Sequence, residues 1–263
     1  MANFVASDGL GVSMRTPRGN PFFCGGSYSP GNSCYEYLSE SDTWAPGPNM
    51  TEDRELSAVV ELPNGTFWIL GGYYNKRTTE IYEDGEFFQG PDLPEDFSGD
   101  TPCATQITDD LTFIGSDSFG YLYSATTGAF EKTADPMPNS ADTAACGSAT
   151  LANGNRVVVV AGGNYGNTLD ESASMIYDIT TNQWTDGPEL PFPLRSARVV
   201  PTENAFLVMG GYNRRAGGGI YFDYFDTIFE FDPLNMAWIE REQKLQRPLY
   251  GFWVINVEKE RFC

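Results

Sequence analysis

The sequence predicts an all-β repeat protein of short antiparallel strands, and three observations carry that prediction. A short apolar run closed by glycine recurs as Phe22-Phe23-Cys24-Gly25-Gly26, Phe67-Trp68-Ile69-Leu70-Gly71-Gly72, Val158-Val159-Val160-Ala161-Gly162-Gly163 and Leu207-Val208-Met209-Gly210-Gly211. A degenerate copy is Leu111-Thr112-Phe113-Ile114-Gly115-Ser116. The first glycines fall at 25, 71, 115, 162 and 210, so the period is 44 to 48 residues, as in radial repeat architectures. Beyond each glycine pair stands an aromatic residue, with a second one seven residues later across a turn: Tyr37 and Trp44, Tyr123 and Phe130, Tyr177 and Trp184, Phe231 and Trp238. The second unit shortens this to Tyr82 and Phe88. Composition agrees, since 28 Gly, 17 Pro and 14% aromatic residues in 263 favour strands joined by tight turns.

Each unit then reads as four strands. The first two form a hairpin about Pro17-Arg18-Gly19-Asn20, Pro63-Asn64-Gly65, Asp109-Asp110, Ala152-Asn153-Gly154-Asn155 or Thr202-Glu203-Asn204. The second strand ends at the glycines, and the third and fourth carry the aromatic pair across turn formers. A lone sheet of this size exposes an apolar face, and radial stacking of several sheets buries it. Glycines suit the places where neighbouring sheets crowd together, and the aromatics become plugs between them. The expected architecture is one β-propeller domain over 1–263, with blades at about 10–50, 51–98, 99–140, 141–194 and 195–247 and a partial blade at 248–263. The run Leu249-Tyr250-Gly251-Phe252-Trp253-Val254-Ile255-Asn256-Val257 reads as the inner strand of that sixth blade. Five blades and half a sixth suggest an incomplete gene product; a five-blade ring with a C-terminal hairpin is the alternative.

The apolar run with Gly-Gly, followed by the spaced Tyr and Trp, resembles the kelch repeat over about residues 10 to 257, so the fold class is read as a kelch-type β-propeller. The Gly-His and Trp-Asp dipeptides of WD-type propellers do not occur. The resemblance implies a non-catalytic module that holds a protein or peptide on one propeller face. Enzymes on similar scaffolds are the competing class. The copper chemistry of galactose-oxidase-like propellers needs histidine ligands, and this chain has none. A sialidase-like site would draw on Arg195, Arg198, Arg214, Arg215 and Tyr221, and Ser124-Ala125-Thr126-Thr127-Gly128-Ala129-Phe130 is only faintly similar to the sialidase Asp-box turn. A third alternative is the propeller fragment of an intracellular BTB-kelch-like ubiquitin-ligase substrate adaptor.

The absence of histidine also excludes Ser-His-Asp and Cys-His catalysis and HExxH zinc chemistry, so no catalytic residue, metal site or cofactor is expected. Thirty-six acidic against 16 basic residues give a formal charge of −20, which argues against a general nucleic-acid binder. No apolar run approaches the length of a membrane span, so no membrane insertion is expected.

Five cysteines are an odd set. Cys24 at the end of a second strand and Cys34 on the following third strand are hairpin neighbours, within reach of a disulfide. Cys103 and Cys146 occupy matching inner-strand positions in consecutive units, and a blade-to-blade bridge there is the second candidate. Buried free thiols are the other reading. Cys24-Gly25-Gly26 followed by Ser33-Cys34-Tyr35 resembles a group of secreted invertebrate kelch proteins, so the expected localisation is extracellular, with cytoplasmic as the alternative. Asn49-Met50-Thr51 and Asn64-Gly65-Thr66 match the N-glycosylation acceptor pattern, though two such triplets are expected by chance in a chain this rich in Asn, Ser and Thr.

Function is expected in the connections between second and third strands, at 27–33, 73–79, 116–119, 164–174 and 212–224. These vary most in length and character, as binding loops on a rigid scaffold do. Two of them, Tyr73-Tyr74-Asn75-Lys76-Arg77-Thr78-Thr79 and Tyr212-Asn213-Arg214-Arg215-Ala216-Gly217-Gly218-Gly219, carry four basic residues and no acidic one. In a six-blade ring, units two and five face each other across the channel. Lys76, Arg77, Arg214 and Arg215 would then converge on an acidic segment of a partner, with Tyr74, Tyr165 and Tyr212 adding amphipathic contact area. Solvated loop tips that offset neighbouring acids are the bland alternative. Arg54, Arg195 and Arg247 recur ahead of inner strands and read as scaffold, and Trp68 and Trp253 read as core.

Overall fold

The computed structural model describes residues 10–27, 31–115, 117, 119–134, 142–165, 169–214, 221–252 and 254, with the backbone alone at 165, 169 and 170. The fold is all-β: no helix occurs among the described residues, and five antiparallel four-stranded sheets carry the chain. It divides into two compact units, Met1–Thr101 with Phe252–Cys263, and Pro102–Gly251.

The first unit holds blades 1 and 2. Blade 1 is β1 (Val12–Arg15), β2 (Pro21–Cys24), β3 (Cys34–Leu38) and β4 (Thr43–Pro46). Blade 2 is β5 (Ala58–Glu61), β6 (Phe67–Leu70), β7 (Thr79–Glu83) and β8 (Glu86–Gln89). The second unit holds three blades. Blade 3 is β9 (Cys103–Gln106), β10 (Leu111–Gly115), β11 (Gly120–Ser124) and β12 (Ala129–Lys132). In blade 4, β13 (Ala145–Thr150) and β14 (Arg156–Ala161) lead into a small hairpin, β15 (Asn164–Tyr165) and β16 (Leu169–Asp170), before β17 (Ser174–Asp178) and β18 (Gln183–Asp186). Blade 5 repeats that plan with β19 (Arg198–Pro201), β20 (Phe206–Met209), a hairpin of β21 (Tyr212–Arg214) and β22 (Phe222–Tyr224), then β23 (Ile228–Asp232) and β24 (Ala237–Glu240). Every blade pairs its strands in simple up-and-down order.

Within each unit, the first strands of successive blades lie side by side, β1 by β5 and β9 by β13 by β19, which is the arrangement of propeller blades. Burial falls from inside to outside. The second strands are the most buried, with Phe67 to Leu70 and Val157 to Ala161 wholly inside, whereas the fourth strands are mostly exposed. The glycine pairs explain how blades abut. Gly25 and Gly26 both have positive φ, and Gly26 N–H donates to Arg54 O (2.9 Å) at the start of blade 2. Gly162 and Gly163 repeat this in the second unit, where Gly163 N–H donates to Leu194 O (2.9 Å). A Cβ at Gly162 would strike that same Leu194 carbonyl, so only glycine fits.

The aromatic pairs stand opposed as expected, and those of blades 2, 4 and 5 plug against the preceding blade. Tyr37 faces Trp44, Tyr123 faces Phe130, Tyr177 faces Trp184, and Phe231 faces Trp238 across the third and fourth strands. Trp184 packs on Phe113 of blade 3 (6.0 Å), and its Nε1–H donates to Thr133 Oγ1 (3.3 Å). Trp238 Nε1–H donates to Pro188 O (3.0 Å) and Ser174 Oγ (3.2 Å) of blade 4. Blade 2 corrects one expectation: Tyr82 faces Phe87, and Phe88 is exposed. Its turn has only Asp84 and Gly85, both at positive φ, so the opposing residue comes two positions sooner than across the longer turns elsewhere. Tyr82 and Phe87 both pack on Phe22 of blade 1 (5.0 and 6.3 Å). Burial, and then the charge of Glu36, push the Tyr82 hydroxyl up to about 12.

Of the expected sixth blade, residues 249–252 and 254 form no strand, and 253 and 255–263 lie outside the described residues. Ser13 Oγ donates to Val254 O (2.5 Å), which places Val254 beside β1 in the first unit and is only loose support for a further blade. Both cysteine pairs are disulfide-bonded. Cys24 and Cys34 are directly opposed on β2 and β3 (Cα–Cα 4.1 Å), and Cys103 and Cys146 tie β9 to β13 (Cα–Cα 5.8 Å).

Candidate functional site

The connection from β20 to β23 is the most elaborate part of the second unit. Its hairpin pairs Tyr212 with Tyr224, Asn213 with Asp223 and Arg214 with Phe222. Alternation along these short strands puts aromatic rings on one side, and they pack into a cluster. Tyr212 lies 5.2 Å from Phe222, 5.9 Å from Tyr224 and 5.1 Å from Tyr250, and Tyr224 lies 5.2 Å from Tyr250. Three tyrosines keep large exposed areas: Tyr221 at 67%, Tyr224 at 45% and Tyr250 at 39%.

The cluster stands on a hydrogen-bonded base. Arg195 and Tyr212 exchange both backbone bonds (3.0 Å each), Gly211 N–H donates to Leu249 O (2.7 Å), and Leu249 N–H donates to Phe225 O (3.1 Å). The Arg195 guanidinium sits 4.7 Å from the Tyr212 ring centre, a cation–π contact at a buried site. Asn213 Nδ2 donates to Pro193 O (3.1 Å), and Arg214 is exposed. The blade 4 hairpin adjoins this one, β16 against β21, which brings the backbone of Tyr165 into the same neighbourhood. Arg215 lies outside the described residues.

The blade 2 loop belongs to the first unit. Tyr73 (51% exposed) and Tyr74 (64%) meet edge to face at 5.2 Å. Asn75 Nδ2 donates to Asp53 O (2.9 Å), which pins the loop to the start of blade 2. Lys76 forms an exposed ion pair with Asp100, and Arg77 Nε–H donates to Leu93 O (3.1 Å). Each basic side chain therefore has an acceptor within its own unit. An exposed pair such as Lys76–Asp100 is worth at most about 1 kcal/mol and gives way readily to a better acceptor.

The arginines expected to be scaffold divide. Arg54 is 2% exposed: Nε–H donates to Glu80 Oε1 (2.7 Å), Nη1 to the carbonyls of Gly71 (2.9 Å) and Thr78 (3.0 Å), and Nη2 to Glu52 Oε2 (3.1 Å) and Thr78 Oγ1 (3.2 Å). Arg195 is also buried, whereas Arg247 is exposed. Arg198, lowered by burial to about 10, donates to Gly251 O (3.1 Å). Sequence reasoning singled out Tyr212 but missed Phe222, Tyr224 and Tyr250. Alternation in Phe222-Asp223-Tyr224 is a local strand signal that would have found the first two. Tyr250 comes from a distant segment, and its place against Tyr212 has no local signature.

Among the described residues, no group of three or more Cys, Asp or Glu side chains is placed to hold a metal ion, and no helix is long and apolar enough to cross a membrane. The two disulfides favour an oxidising environment. No protein-family model matches the chain, and no curated protein is significantly similar to it.

Proposed function

We propose that this chain is a non-catalytic, kelch-type binding module of the extracellular space that holds an acidic protein or peptide with its second-to-third-strand loops. The observation that carries the reading is the tyrosine cluster on β21 and β22, an exposed aromatic surface with Arg214 alongside it, built on a rigid hydrogen-bonded base. Tyrosine offers large contact area at low entropic cost, and arginine binds carboxylates with two parallel bonds. In a chain of charge −20, the exposed Arg214 of this loop and, separately, the exposed Lys76 and Arg77 of the blade 2 loop are local cations that favour an acidic partner. Kelch identity is supported by the diglycine and aromatic geometry, and extracellular residence by the disulfides.

The test is binding of the purified chain to arrays of Asp/Glu-rich peptides and their Asn/Gln counterparts. The chain should prefer the acidic set, and a variant with Lys76, Arg77, Arg214 and Arg215 all changed to Ser should lose that preference with little change in melting temperature. Equal binding of the two sets, or an unaffected variant, contradicts the proposal. Robust turnover of fluorogenic sialosides or other glycosides would overturn its non-catalytic part.

A further inference from the structure

The two N-glycosylation triplets sit in very different surroundings. Asn49 is exposed, but its triplet is clamped: Met50 is 1% exposed, its N–H donates to Asn32 O (3.0 Å), and its carbonyl accepts from Asn32 Nδ2 (3.1 Å). Thr51 N–H donates to Glu80 Oε2 (2.7 Å). Among the described residues, no hydrogen bond joins Thr51 to Asn49.

Asn64 occupies the exposed tip of the β5–β6 hairpin. Gly65 beside it has φ +83 with nothing within 4 Å of where a Cβ would lie, and its N–H closes the turn on Leu62 O (2.8 Å). The Asn64 carboxamide oxygen accepts from Thr66 Oγ1 (2.8 Å) and Thr66 N–H (3.2 Å). Nδ2 makes no hydrogen bond among the described residues. The oxygen is thus held by the hydroxyl residue of the triplet itself, while the nitrogen is left to solvent. The hydrogen bonds of this turn join residues 62–66 to one another, while Thr66 itself is buried.

We propose that Asn64, and not Asn49, is an N-glycan acceptor. The co-substrate is an oligosaccharide carried on a lipid pyrophosphate. Asn64 Nδ2 attacks C1 of the first sugar, the N–C1 bond forms, the C1–O bond to pyrophosphate breaks, and the lipid pyrophosphate leaves with the electron pair. Nδ2 gives up one proton, and no oxidation or reduction occurs. As that proton leaves, negative charge builds on Oδ1, where the Thr66 hydroxyl and N–H already point. A bulky solvated chain fits at this tip without disturbing any packed surface, whereas the clamped triplet at 49–51 has no comparable freedom. The inference rests on the oxidising-compartment reading, since lipid-linked transfer and disulfide formation share that setting.

The experiment is secretion of the full chain from eukaryotic cells behind a cleavable leader. Peptide mapping then follows glycosidase release in ¹⁸O-labelled water beside an enzyme-free incubation in the same water, and enzyme-dependent label at Asn64 is distinguished from spontaneous Asn-Gly deamidation, which takes up label in both. The expected result is label at Asn64 and none at Asn49, loss of the whole glycan mass shift in Asn64→Gln and Thr66→Ala, and retention in Thr66→Ser and Asn49→Gln. Unlabelled Asn64 in secreted protein, or modification confined to Asn49, overturns the proposal. The same unreduced map reports the Cys24–Cys34 and Cys103–Cys146 peptides, so failure of the oxidising reading would show separately as free thiols.

Discussion

Arg54 makes its hydrogen bonds to Glu80, Glu52, Gly71 and Thr78 while almost wholly buried, and Glu80, at 1% exposure, has no other ion-pair partner among the described residues. Removing the arginine strands a buried carboxylate, so Arg54→Leu should lower unfolding stability by about 3–5 kcal/mol. Restoring charge balance with Arg54→Leu/Glu80→Leu should recover part of that loss, although Thr51 N–H would then lack its acceptor. Urea unfolding of the two variants measures both. A loss below about 1 kcal/mol for the single variant would show that the pair is ornamental. The same residue illustrates what a sequence reveals at this scale. Recurrence ahead of inner strands marked Arg54 as scaffold, because its place in the repeat is a local property. The identity of Glu80 and Gly71 as its acceptors depends on how the blade 2 loop folds back, which no spacing rule states.

At the scale of strands and turns, the diglycines make the sharpest distinction between two kinds of glycine. Gly154 has φ +84 at an open hairpin turn with nothing near its missing side chain, and Gly162 has φ +68 against the Leu194 carbonyl, at the junction with blade 5. Gly154→Ala should cost only the left-handed backbone penalty of about 1–2 kcal/mol. Gly162→Ala adds a collision with backbone and should cost distinctly more, with the difference visible in paired thermal melts. Equal costs would mean that the blades do not meet where the hydrogen bond from Gly163 to Leu194 places them. Elements of this kind were legible because the glycine period, the aromatic spacing and the hairpin turns all recur. The exception, Phe87 in place of Phe88, came from a two-residue turn whose effect on register the aromatic spacing alone did not convey. The hairpin β21–β22 was hidden for the opposite reason, since a loop insertion belongs to one blade and no repeat reports it.

Taken whole, the chain combines repeated sheets with loops that differ from blade to blade. The sheets consume the apolar runs, the diglycines, the aromatic plugs and both disulfides, and what remains outside them is the set of connections bearing Tyr73, Tyr74, Arg77, Tyr212, Arg214, Tyr224 and Tyr250. An excess of acid over base, at −20, leaves the short cationic stretches as local reversals of the general potential. The central claim is that scaffold and binding surface are separable. Hydrogen–deuterium exchange of the full chain, with and without the tightest acidic peptide from the array, tests it most directly. The account predicts slow exchange in β2, β6, β10, β14 and β20 in both states, and added protection on binding confined to second-to-third-strand loops, at 212–214 and 221–224 of the second unit or at 73–78 of the first. Protection gained along the outer strands β4, β8, β12, β18 or β24, with the loops unchanged, would contradict it.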